Sequence, residues 1–509
     1  MTGVYKRKQR FLTMRLTAFG ALTLLAAPWS AHAQSPASFT YQNPMPRGVV
    51  DGLRDPYIVN VDGVWYMTGT AKPFFQFQYA TLGANPGVPL YSSTDLKTWT
   101  YRGIIVPRVQ GSWYQDNFWA PEIHVKSVNG VRRFYCTFNG DNADQNSPEG
   151  VGLAVANNIT GPYTVLTPNA PLTYGNDGGI FTDSDGNDYL FIAGISAMPI
   201  DLANARVTGA AWPVLGPSPT PQWDGGTGVG VEDPDVIKIG ATYYCFYSSW
   251  GCGYGAGYAT ATNIHGPWTK YAANPIYGAQ NPAACAASGA AYTQAPNVPY
   301  REIGGGAPFV GPDGRWWLSA HFALINPDPA TTQYWGWEQP GFDPLPFQNG
   351  AFLPQTPSWT AQSVPLPLTS GLYALTNAAS GFALDDTNWA TTAGNLIELW
   401  DAWYGPPQQW RFTLQPDGSY TLTSSLANMN IDDPNGLNTW GQHLQLWYPN
   451  GATAQNWLLS PQADGAYTLN NVAAGLALDD PNGLGPHGTL VQLWPANGAP
   501  AQEWRLTRQ

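Results

Sequence analysis

Four carboxylic acids stand at the start of similar short segments spread along the chain. Asp55, Glu122, Asp177 and Glu232 each precede a run of β-forming residues, and Ala307 holds the corresponding place in a fifth segment. Acidic side chains that enter one small space resist ionising together, which pushes their pKa values apart. That separation suits a reaction that needs one carboxyl as an acid and another as a base.

Each of these segments begins a predicted β-hairpin. After Asp55, the strand from Tyr57 to Val61 reaches Asp62-Gly63, a strong signal for a tight turn. The same unit turns again at Asn129-Gly130, Asp185-Gly186, Gly240 and Asp313-Gly314. Each unit holds about four strands, and four-stranded sheets repeated radially form a β-propeller. We therefore predict a five-bladed propeller over residues 36–352, with the acids gathered at its axis.

A different repeat fills the C-terminal part of the chain. A Pro-rich linker is predicted at 353–367, and three units of 47 residues follow over 368–509. Each unit carries an aspartate, a tryptophan 15 positions later, and a Gln-x-Trp sequence. Equal units of this kind predict a threefold β-structure.

The N-terminus is predicted to be a secretory signal that ends at residue 33. Five basic residues, the last of them Arg15, precede an apolar run from Leu16 to Trp29. Ala31-His32-Ala33 follows this run. The alternative, a membrane anchor, is disfavoured because the run is shorter than the ~20 residues that span a bilayer. We expect a secreted or periplasmic protein that does not associate with a membrane.

Charge and composition narrow the choice of partners. The formal net charge is -12, and charged residues make up only 11% of the chain against 14% aromatic residues. Nucleic acid and anionic membranes are poor partners for such a surface, whereas neutral sugars are not disfavoured. We expect a monomer whose partner is a polysaccharide or oligosaccharide.

The four cysteines show no metal-binding spacing. No Cys-x-x-Cys sequence is present, so a zinc site is not predicted. Cys252 and Cys285, in Gly- and Ala-rich loops, are the preferred disulfide pair. Cys136 and Cys245 lie within aromatic strands and are predicted to be free thiols of the core.

The propeller segment resembles family 43 glycoside hydrolases, five-bladed propeller enzymes that act on arabinose- and xylose-containing glycans. Four motifs in blade order carry the resemblance: Asp55-Pro56, Trp119-Ala-Pro-Glu122, Asp177 with Phe181 and Asp183-Ser-Asp185-Gly186, and Glu232-Asp233-Pro234 ahead of Tyr243-Tyr244.

The resemblance implies three catalytic roles. Asp55 is similar to the general base that activates water, and Glu232 to the general acid that protonates the leaving oxygen. Asp177 corresponds to the residue that raises the pKa of the acid and orients it. The family inverts the anomeric centre in a single displacement, which requires roughly 6.5–9.5 Å between the two carboxyls.

Further residues of the propeller are predicted to bind substrate. Trp119 offers an aromatic face, Glu122 a subsite carboxyl, and Asp233, which replaces the usual Gly, either shifts the pKa of the acid or binds a sugar hydroxyl. The family often offers a Gly-His pair to a central ion in the fifth blade, and Gly304-Gly-Gly-Ala-Pro308 contains no His. His321 is predicted to be a core residue. We therefore expect no required cofactor and assign no metal site; a structural calcium stays an alternative that the sequence does not support.

The C-terminal repeats resemble the ricin B-type lectin domain, a β-trefoil found as a carbohydrate-binding module. The fold class implied for the whole chain is all-β, a five-bladed β-propeller followed by a β-trefoil. The resemblance implies one aspartate and one stacking aromatic per repeat, and predicts the pairs Asp385 with Trp400, Asp432 with Trp447, and Asp479 with Trp494. The Asn that usually precedes Gln-x-Trp is replaced by Pro407, Ala454 and Ala501. A trefoil that only packs on the propeller is the alternative.

The sequence thus predicts a secreted, inverting glycoside hydrolase with a glycan-binding trefoil. The expected products are terminal α-L-arabinofuranosyl or β-D-xylosyl units of plant polysaccharides. An exo-β-1,3-galactanase is one alternative, and a non-catalytic carbohydrate-binding protein is another.

Overall fold

The computed structural model describes residues 38–509, except 47, 51, 72–84, 129, 220–221, 226–229, 252, 281–299, 325–337, 349, 416–417, 463–464 and 484. The predicted signal at 1–33 and the predicted Cys252–Cys285 pair lie outside the described residues. The described chain is all-β, with a five-bladed propeller and a trefoil-like barrel, so the predicted fold class is confirmed. Within it, no helix combines the length and the apolar character needed to cross a membrane.

The five blades are antiparallel sheets that follow one another along the chain. Blades 1 and 2 come first in the chain. Blade 1 contains Leu53–Val61, Val64–Ala71, Gly87–Ser93 and Thr100–Pro107. Blade 2 contains Asp116–Asn117, Glu122–Val128, Val131–Asn142, Ser147–Ala156, Thr164–Val165 and Thr173–Tyr174.

Blades 3 to 5 follow. Blade 3 contains Gly179–Thr182, Asp188–Ile192, Ser196–Asp201, Arg206–Val207 and Trp212–Pro213. Blade 4 contains Val231–Ile239, Thr242–Ser249, Gly253–Ala261, Thr269–Lys270 and Tyr277–Gln280. Blade 5 contains Tyr300–Gly304, Pro308–Val310, Trp316–Leu324 and Glu338–Pro344. A two-stranded hairpin, Phe347–Gln348 with Ala351–Phe352, follows blade 5.

The turn predicted from sequence in blade 1 has the expected backbone. Asp62 and Gly63 both adopt positive φ, 53° and 82°, and Val61 pairs with Val64. Two successive left-handed residues turn a chain in the same sense as the twist of the flanking strands. The short sequence signal therefore determines the local hairpin.

Buried side chains hold neighbouring blades together. Each interface between blades has its own hydrophobic cluster, represented in order around the ring by Phe138, Leu190, Tyr247, Phe322 and Trp317. The cluster around Trp317 joins blade 5 to blade 1 and so closes the ring. Both faces of each sheet are buried in this way, which accounts for the long aromatic runs in the strands.

Two cysteines belong to these clusters. Cys136 and Cys245 are free and fully buried, as predicted. Burial raises the pKa of each thiol well above its ordinary value, so neither is a reactive thiolate.

The Pro-rich stretch is ordered against the propeller over part of its length. Its strand Gln362–Pro365 pairs antiparallel with the N-terminal strand Ser38–Tyr41. Ser358 donates from its backbone N–H and its hydroxyl to the two carboxylate oxygens of Asp343, at 2.8 and 2.5 Å. The predicted linker is therefore not a free tether, because hydrogen bonds from its backbone and side chains attach it to blade 5.

Asp343, in the strand Glu338–Pro344 of blade 5, is hydrogen-bonded to three other segments of the chain. Besides Ser358, it accepts hydrogen bonds from the hydroxyls of Tyr41 at 2.7 Å and Tyr277 at 2.6 Å, and it is only 4% exposed. Replacing Asp343 by Ala leaves these buried donors without an acceptor. We expect a loss of about 3 kcal/mol or more in the free energy of unfolding of the propeller, measured by thermal denaturation.

Arg132→Ala is a suitable control for this prediction. It removes an ion pair with Asp62 whose two side chains are 45% and 72% exposed, and exposed pairs contribute little to stability. A denaturation midpoint for Asp343→Ala within error of that for Arg132→Ala would contradict a structural role for Asp343.

The C-terminal domain is built from short strands related by a threefold repeat. Its strands are Gly371–Asn377, Ala383–Asp386, Ile397–Trp400, Trp410–Leu414, Tyr420–Ser424, Asn430–Asp432, Gln442–His443, Gln445–Trp447, Asn456–Pro461, Tyr467–Asn471, Ala477–Asp479, Thr489–Leu490, Gln492–Trp494 and Trp504–Arg508. Short 3-10 turns lie at Ala143–Gln145 in blade 2 and, in this domain, at Thr387–Trp389, Pro406–Gln408, Pro434–Gly436, Thr453–Gln455, Pro481–Gly483 and Pro500–Gln502.

The tryptophans of the three Gln-x-Trp sequences form the centre of this domain. Trp410, Trp457 and Trp504 have no exposed surface and belong to one hydrophobic cluster. Each indole N–H donates to the backbone carbonyl 26 positions earlier, at 3.1, 3.4 and 3.1 Å. Because a buried indole needs a hydrogen-bond acceptor, this repeated contact explains why the motif recurs at a constant spacing.

Candidate active site

Every blade enters the propeller axis through a residue with left-handed backbone. These residues are Asp55, Ala120, Asp177, Asp233 and Gly305, with φ of 50°, 37°, 51°, 50° and 59°. Left-handed backbone is uncommon for residues other than Gly, and such strain is concentrated at functional sites. In blades 1 and 4 the strand pairing shifts register at this point, so that one extra residue is inserted.

The backbone conformations show that the four acids predicted to hold equivalent places in their blades do not all do so. Asp233, not Glu232, has the backbone conformation of Asp55 and Asp177, and Glu232 occupies the place that Arg54 has in blade 1. Glu122 and Ala307 lie two residues beyond the left-handed position of their blades. In blade 4 the sequence alone does not show which acid corresponds to Asp55, because Glu232 and Asp233 are adjacent and either could begin the strand.

Asp55 is surrounded by groups that favour its carboxylate form. The Thr70 hydroxyl donates to Oδ2 at 2.7 Å, and Arg54 Nε lies 3.2 Å from Oδ1. His321 Nδ1 lies 3.5 Å from the same Oδ1. Gly305 leaves room for this cluster, since a Cβ there would stand 2.7 Å from Asp55 Oδ1. A carboxylate held in place by donors and a cation is suited to accept a proton.

Arg54 connects Asp55 to a second buried acid. Its Nη1 lies 3.2 Å from Oε1 of Glu338, and its guanidinium carbon lies 4.8 Å from the ring centre of Tyr254. Burial opposes the charge of Arg54, but Glu338 and Asp55 outweigh that effect and raise its pKa. Arg54 therefore remains a cation beside the candidate base.

Asp177 is the central acid of the site and is 6% exposed. Asn139 Nδ2 donates to Oδ1 at 3.1 Å, and the backbone N–H of Asp233 donates to Oδ2 at 3.3 Å. Burial, followed by the charge of Asp55, raises the pKa of Asp177 to about 7 despite these hydrogen bonds.

Glu232 lies in surroundings that favour its protonated form. Burial and the charge of Asp177 raise its pKa well above the ordinary value, while Arg54 opposes the shift. A general acid works best when its pKa lies near or above the working pH. The predicted pair of unlike carboxyls, Asp55 and Glu232, therefore lies in unlike environments, with Asp177 influencing the second.

Asp233 contributes another carboxyl with a raised pKa. It is 8% exposed, burial and Asp177 raise its pKa well above the usual range, and its Oδ2 accepts no hydrogen bond from the described residues. A cavity of about 10 Å³ lies at the axis, large enough for about one water. It is lined by Asp55, Pro56, Tyr57, Ala120, Pro121, Glu122, Asp233, Gly305, Gly306 and Ala307.

Glu122 lies further along the axis than the left-handed residues. Burial and Asp235 raise its pKa, and Gly179 leaves space for its carboxylate, since a Cβ there would be 3.1 Å from Oε2. Trp119 is half-buried and directly precedes Ala120 in the chain. Glu122 lines the axial cavity, whereas Trp119 is not among its lining residues, and substrate binding by both stays a prediction.

Sequence reasoning missed several residues of the site. Arg54 directly precedes Asp55 in the chain, so the sequence alone could have indicated a cation beside the candidate base. His321 is fully buried, as predicted, but it also contacts Asp55. Glu149, whose pKa is raised to about 8 by burial and then by Asp177, comes from the strand Ser147–Ala156 of blade 2. No local pattern identifies Glu149, because its relation to Asp177 arises from the packing of two blades.

One set of three carboxylates among the described residues has the spacing of a cation site. Asp177, Glu232 and Asp233 each offer an oxygen within 4.8 Å of the others. Burial is the main cause of the raised pKa of each of these three carboxyls.

The lectin-like repeats form a second group of predicted sites. Asp385, Asp432 and Asp479 are almost fully buried, and Trp400, Trp447 and Trp494 are 42%, 40% and 37% exposed. Gln408 and Gln455, from the Gln-x-Trp sequences, donate to Asp385 at 2.7 Å and to Asp432 at 3.1 Å. Each repeat therefore has a buried, hydrogen-bonded aspartate and a partly exposed tryptophan 15 positions later, and sugar binding by these pairs stays a prediction.

Comparison with known families accounts for both domains. Residues 41–340 match the family described as "Glycosyl hydrolases family 43", and residues 358–447 and 453–509 match "Ricin-type beta-trefoil lectin domain-like". A solved structure of a thermostable family-43 glycoside hydrolase has a TM-score of 0.51 and 24% identity, and the match covers 64% of this chain and 100% of that one.

Two curated relatives resemble parts of the chain. An arabinoxylan arabinofuranohydrolase of Bacillus subtilis is 30% identical over 35% of this chain and 40% of its own length. A non-reducing end alpha-L-arabinofuranosidase of Bacteroides ovatus is 23% identical over 67% of this chain and 61% of its own. The chain thus spans less than two thirds of these relatives. The match over residues 41–340 covers more than half of the chain, and the chain belongs to glycosyl hydrolases family 43, with a ricin B-like lectin domain at its C-terminal end.

Proposed function

We propose that this protein is a secreted, inverting glycoside hydrolase that removes terminal α-L-arabinofuranosyl or β-D-xylosyl units from plant polysaccharide. The observation that carries the proposal is the contrast between Asp55, held by Arg54 and Thr70, and Glu232, whose pKa is raised by burial and Asp177. The names of the two relatives, which concern arabinoxylan and arabinofuranosides, support the choice of sugar.

The proposed reaction is a single displacement. Asp55 removes a proton from water, and the resulting nucleophile attacks the anomeric carbon on the face opposite the leaving group. Glu232 gives its proton to the glycosidic oxygen as the C–O bond breaks, so the anomeric configuration inverts. Asp55 then releases its proton and Glu232 takes one up.

The proposal is tested by a substrate screen with the full chain. We expect hydrolysis of p-nitrophenyl α-L-arabinofuranoside or β-D-xyloside, and release of monosaccharide from arabinan or xylan. NMR during the first turnovers should show the inverted anomer. Activity confined to β-1,3-galactan would contradict the proposed substrate and favour the alternative, an exo-β-1,3-galactanase. Retention of configuration would contradict the mechanism.

Asp177→Asn is expected to shift the pH profile toward acid. The charge of Asp177 raises the pKa of Glu232, so a neutral Asn lowers that pKa, and Glu232 loses its proton at lower pH. The alkaline limb of kcat/KM should therefore move down by about one pH unit or more. Glu149→Gln should shift the same limb in the same direction but less, because Glu149 is a weaker contributor. An unchanged alkaline limb in Asp177→Asn would exclude this role.

We further propose that turnover requires no metal ion. A cation held by Asp177, Glu232 and Asp233 would compete with the proton that Glu232 must donate. Prolonged treatment with EDTA should leave kcat/KM unchanged, and addition of Ca²⁺ should not increase it. Loss of activity with EDTA that Ca²⁺ restores would contradict the proposal.

A further inference from the structure

The three lectin-like repeats build three sites on one frame, but the sites differ in composition. Each aspartate pairs across the strands with the residue 13 positions later. The pairs are Asp385 with Glu398, Asp432 with Gln445, and Asp479 with Gln492. A polysaccharide is taken as the ligand of these sites, and in that respect the inference rests on the proposed function.

A loop from another repeat lies beside each exposed tryptophan. A Cβ added to Gly394, Gly441 or Gly488 would lie 4.0, 3.9 or 3.9 Å from the ring of Trp447, Trp494 or Trp400, respectively. The backbone N–H of each of these glycines donates at 2.8 Å to the carbonyl of the leucine before that tryptophan. The loops therefore have one fixed position, and the residue before each glycine becomes a variable wall of the site.

The wall residues are Ala393, Trp440 and His487, and they make the sites unequal. Trp440 lies against Trp494 with ring centres 5.9 Å apart and planes at 55°, and these indoles are 64% and 37% exposed. His487 lies 5.1 Å from Trp400, and its Nδ1 lies 3.2 Å from Asp401. Ala393 provides no ring beside Trp447. Among the three tryptophans of the Asp–Trp pairs, only Trp494 is met by an indole from another repeat; Trp389 and Trp403, with ring centres 5.5 Å apart, form a second indole pair within the first repeat.

The cross-strand partner of each aspartate is a glutamine in the second and third repeats and a glutamate in the first. Gln492 donates to Asp479 at 2.7 Å, and Gln445 donates to Asp432 at 2.8 Å. In the first repeat the corresponding residue is Glu398, whose carboxyl cannot donate when ionised and faces the like charge of Asp385. Gln408 donates to Asp385 in its place. The third site is thus the one in which an aspartate held by its cross-strand glutamine accompanies a tryptophan that is met by an indole from another repeat.

We propose that the third-repeat site is the main glycan-binding site of this domain, and that Trp440, supplied by the second repeat, is one of its binding residues. A neutral sugar ring places two adjacent hydroxyls on Asp479, its C–H face on Trp494 and its edge against Trp440. Two large exposed indoles are unfavourable in water without a ligand, and a sugar C–H face covers such a surface.

The test is affinity electrophoresis of the full chain carrying Glu232→Gln, which keeps the polysaccharide intact. Gels contain arabinan, arabinoxylan or β-1,3-galactan as the probe. Trp440→Ala should raise the dissociation constant about 2- to 10-fold, since an aromatic contact contributes about 0.5–1.5 kcal/mol. Asp479→Ala should raise it more, and Trp440→Tyr should retain most of the affinity.

Two further variants make the test specific. Trp389→Ala is the matched control, because Trp389 is 61% exposed but contacts Trp403 rather than Trp494, and it should bind like the parent chain. Ala393→Trp should strengthen binding by building a second corner beside Trp447. Equal losses in Trp440→Ala and Trp389→Ala, or no loss in Trp440→Ala while Asp479→Ala loses binding, would overturn the proposal.

The outcomes separate this inference from the proposed function. If none of the three polysaccharides retards the Glu232→Gln chain while the unmodified enzyme hydrolyses one of them, the binding proposal fails and the hydrolase stands. If the chain is retarded in the predicted order of variants but hydrolyses no substrate, the binding proposal stands and the proposed hydrolase activity fails.

Discussion

Glu232→Gln is expected to reduce kcat/KM on p-nitrophenyl glycosides and polysaccharides by about 10²- to 10⁴-fold, the usual contribution of a positioned general acid. The amide is similar in size to the acid but cannot give a proton to the leaving oxygen. Burial and Asp177 raise the pKa of Glu232, which favours the protonated form that a general acid requires. The same substitution removes a buried carboxyl from a crowded acidic cluster, so we expect the fold to be retained, as measured by circular dichroism and thermal denaturation.

The dependence on the leaving group distinguishes loss of the acid from general damage. The leaving group of a dinitrophenyl glycoside departs as a stable dinitrophenolate anion and needs little protonation. Glu232→Gln should therefore be far less impaired on this substrate than on a polysaccharide. A uniform loss across leaving groups, or activity within a few-fold of wild type on polysaccharide, would exclude Glu232 as the acid. Asp233→Asn is an informative neighbour, since it removes an adjacent buried carboxyl and should leave the leaving-group dependence as in wild type.

Asp55→Ala is expected to abolish turnover on good and poor leaving groups alike, with a loss of about 10²- to 10⁴-fold. Without the carboxylate, no residue takes the proton from the attacking water. The Asp55 carboxylate accepts from Thr70 and contacts Arg54 and His321, so its place is determined by three partners. Asn in place of Asp would keep the size of the side chain while removing its basicity, and is the variant to compare for folding.

Azide provides the decisive measurement for Asp55. It is a nucleophile that needs no base, and the Ala variant leaves space for it beside the anomeric carbon. Activity should return with increasing azide on an activated substrate, and the product should be a glycosyl azide of inverted configuration. Azide should not restore Glu232→Gln in this way. A product of retained configuration would show that Asp55 is not the base of an inverting reaction.

The two domains and most of the catalytic residue types were predictable from sequence, because they are repeated or locally encoded. The turn at Asp62-Gly63 requires positive φ and has it. The 47-residue period predicted three equal units, and Trp410, Trp457 and Trp504 occupy equivalent buried positions. Free buried Cys136 and Cys245 followed from their aromatic strands. In each case the determining interaction lies within one hairpin or one repeat.

The sequence by itself determined which acids are available, and only the tertiary structure decided what surrounds them. Asp233, rather than Glu232, is the structural counterpart of Asp55, because an inserted residue shifts the strand register where the chain turns left-handed. Glu149 and His321 come to Asp177 and Asp55 from other strands, and Trp440 reaches Trp494 from another repeat. These relations depend on how blades and repeats pack, and contacts between residues far apart in the chain leave no local pattern.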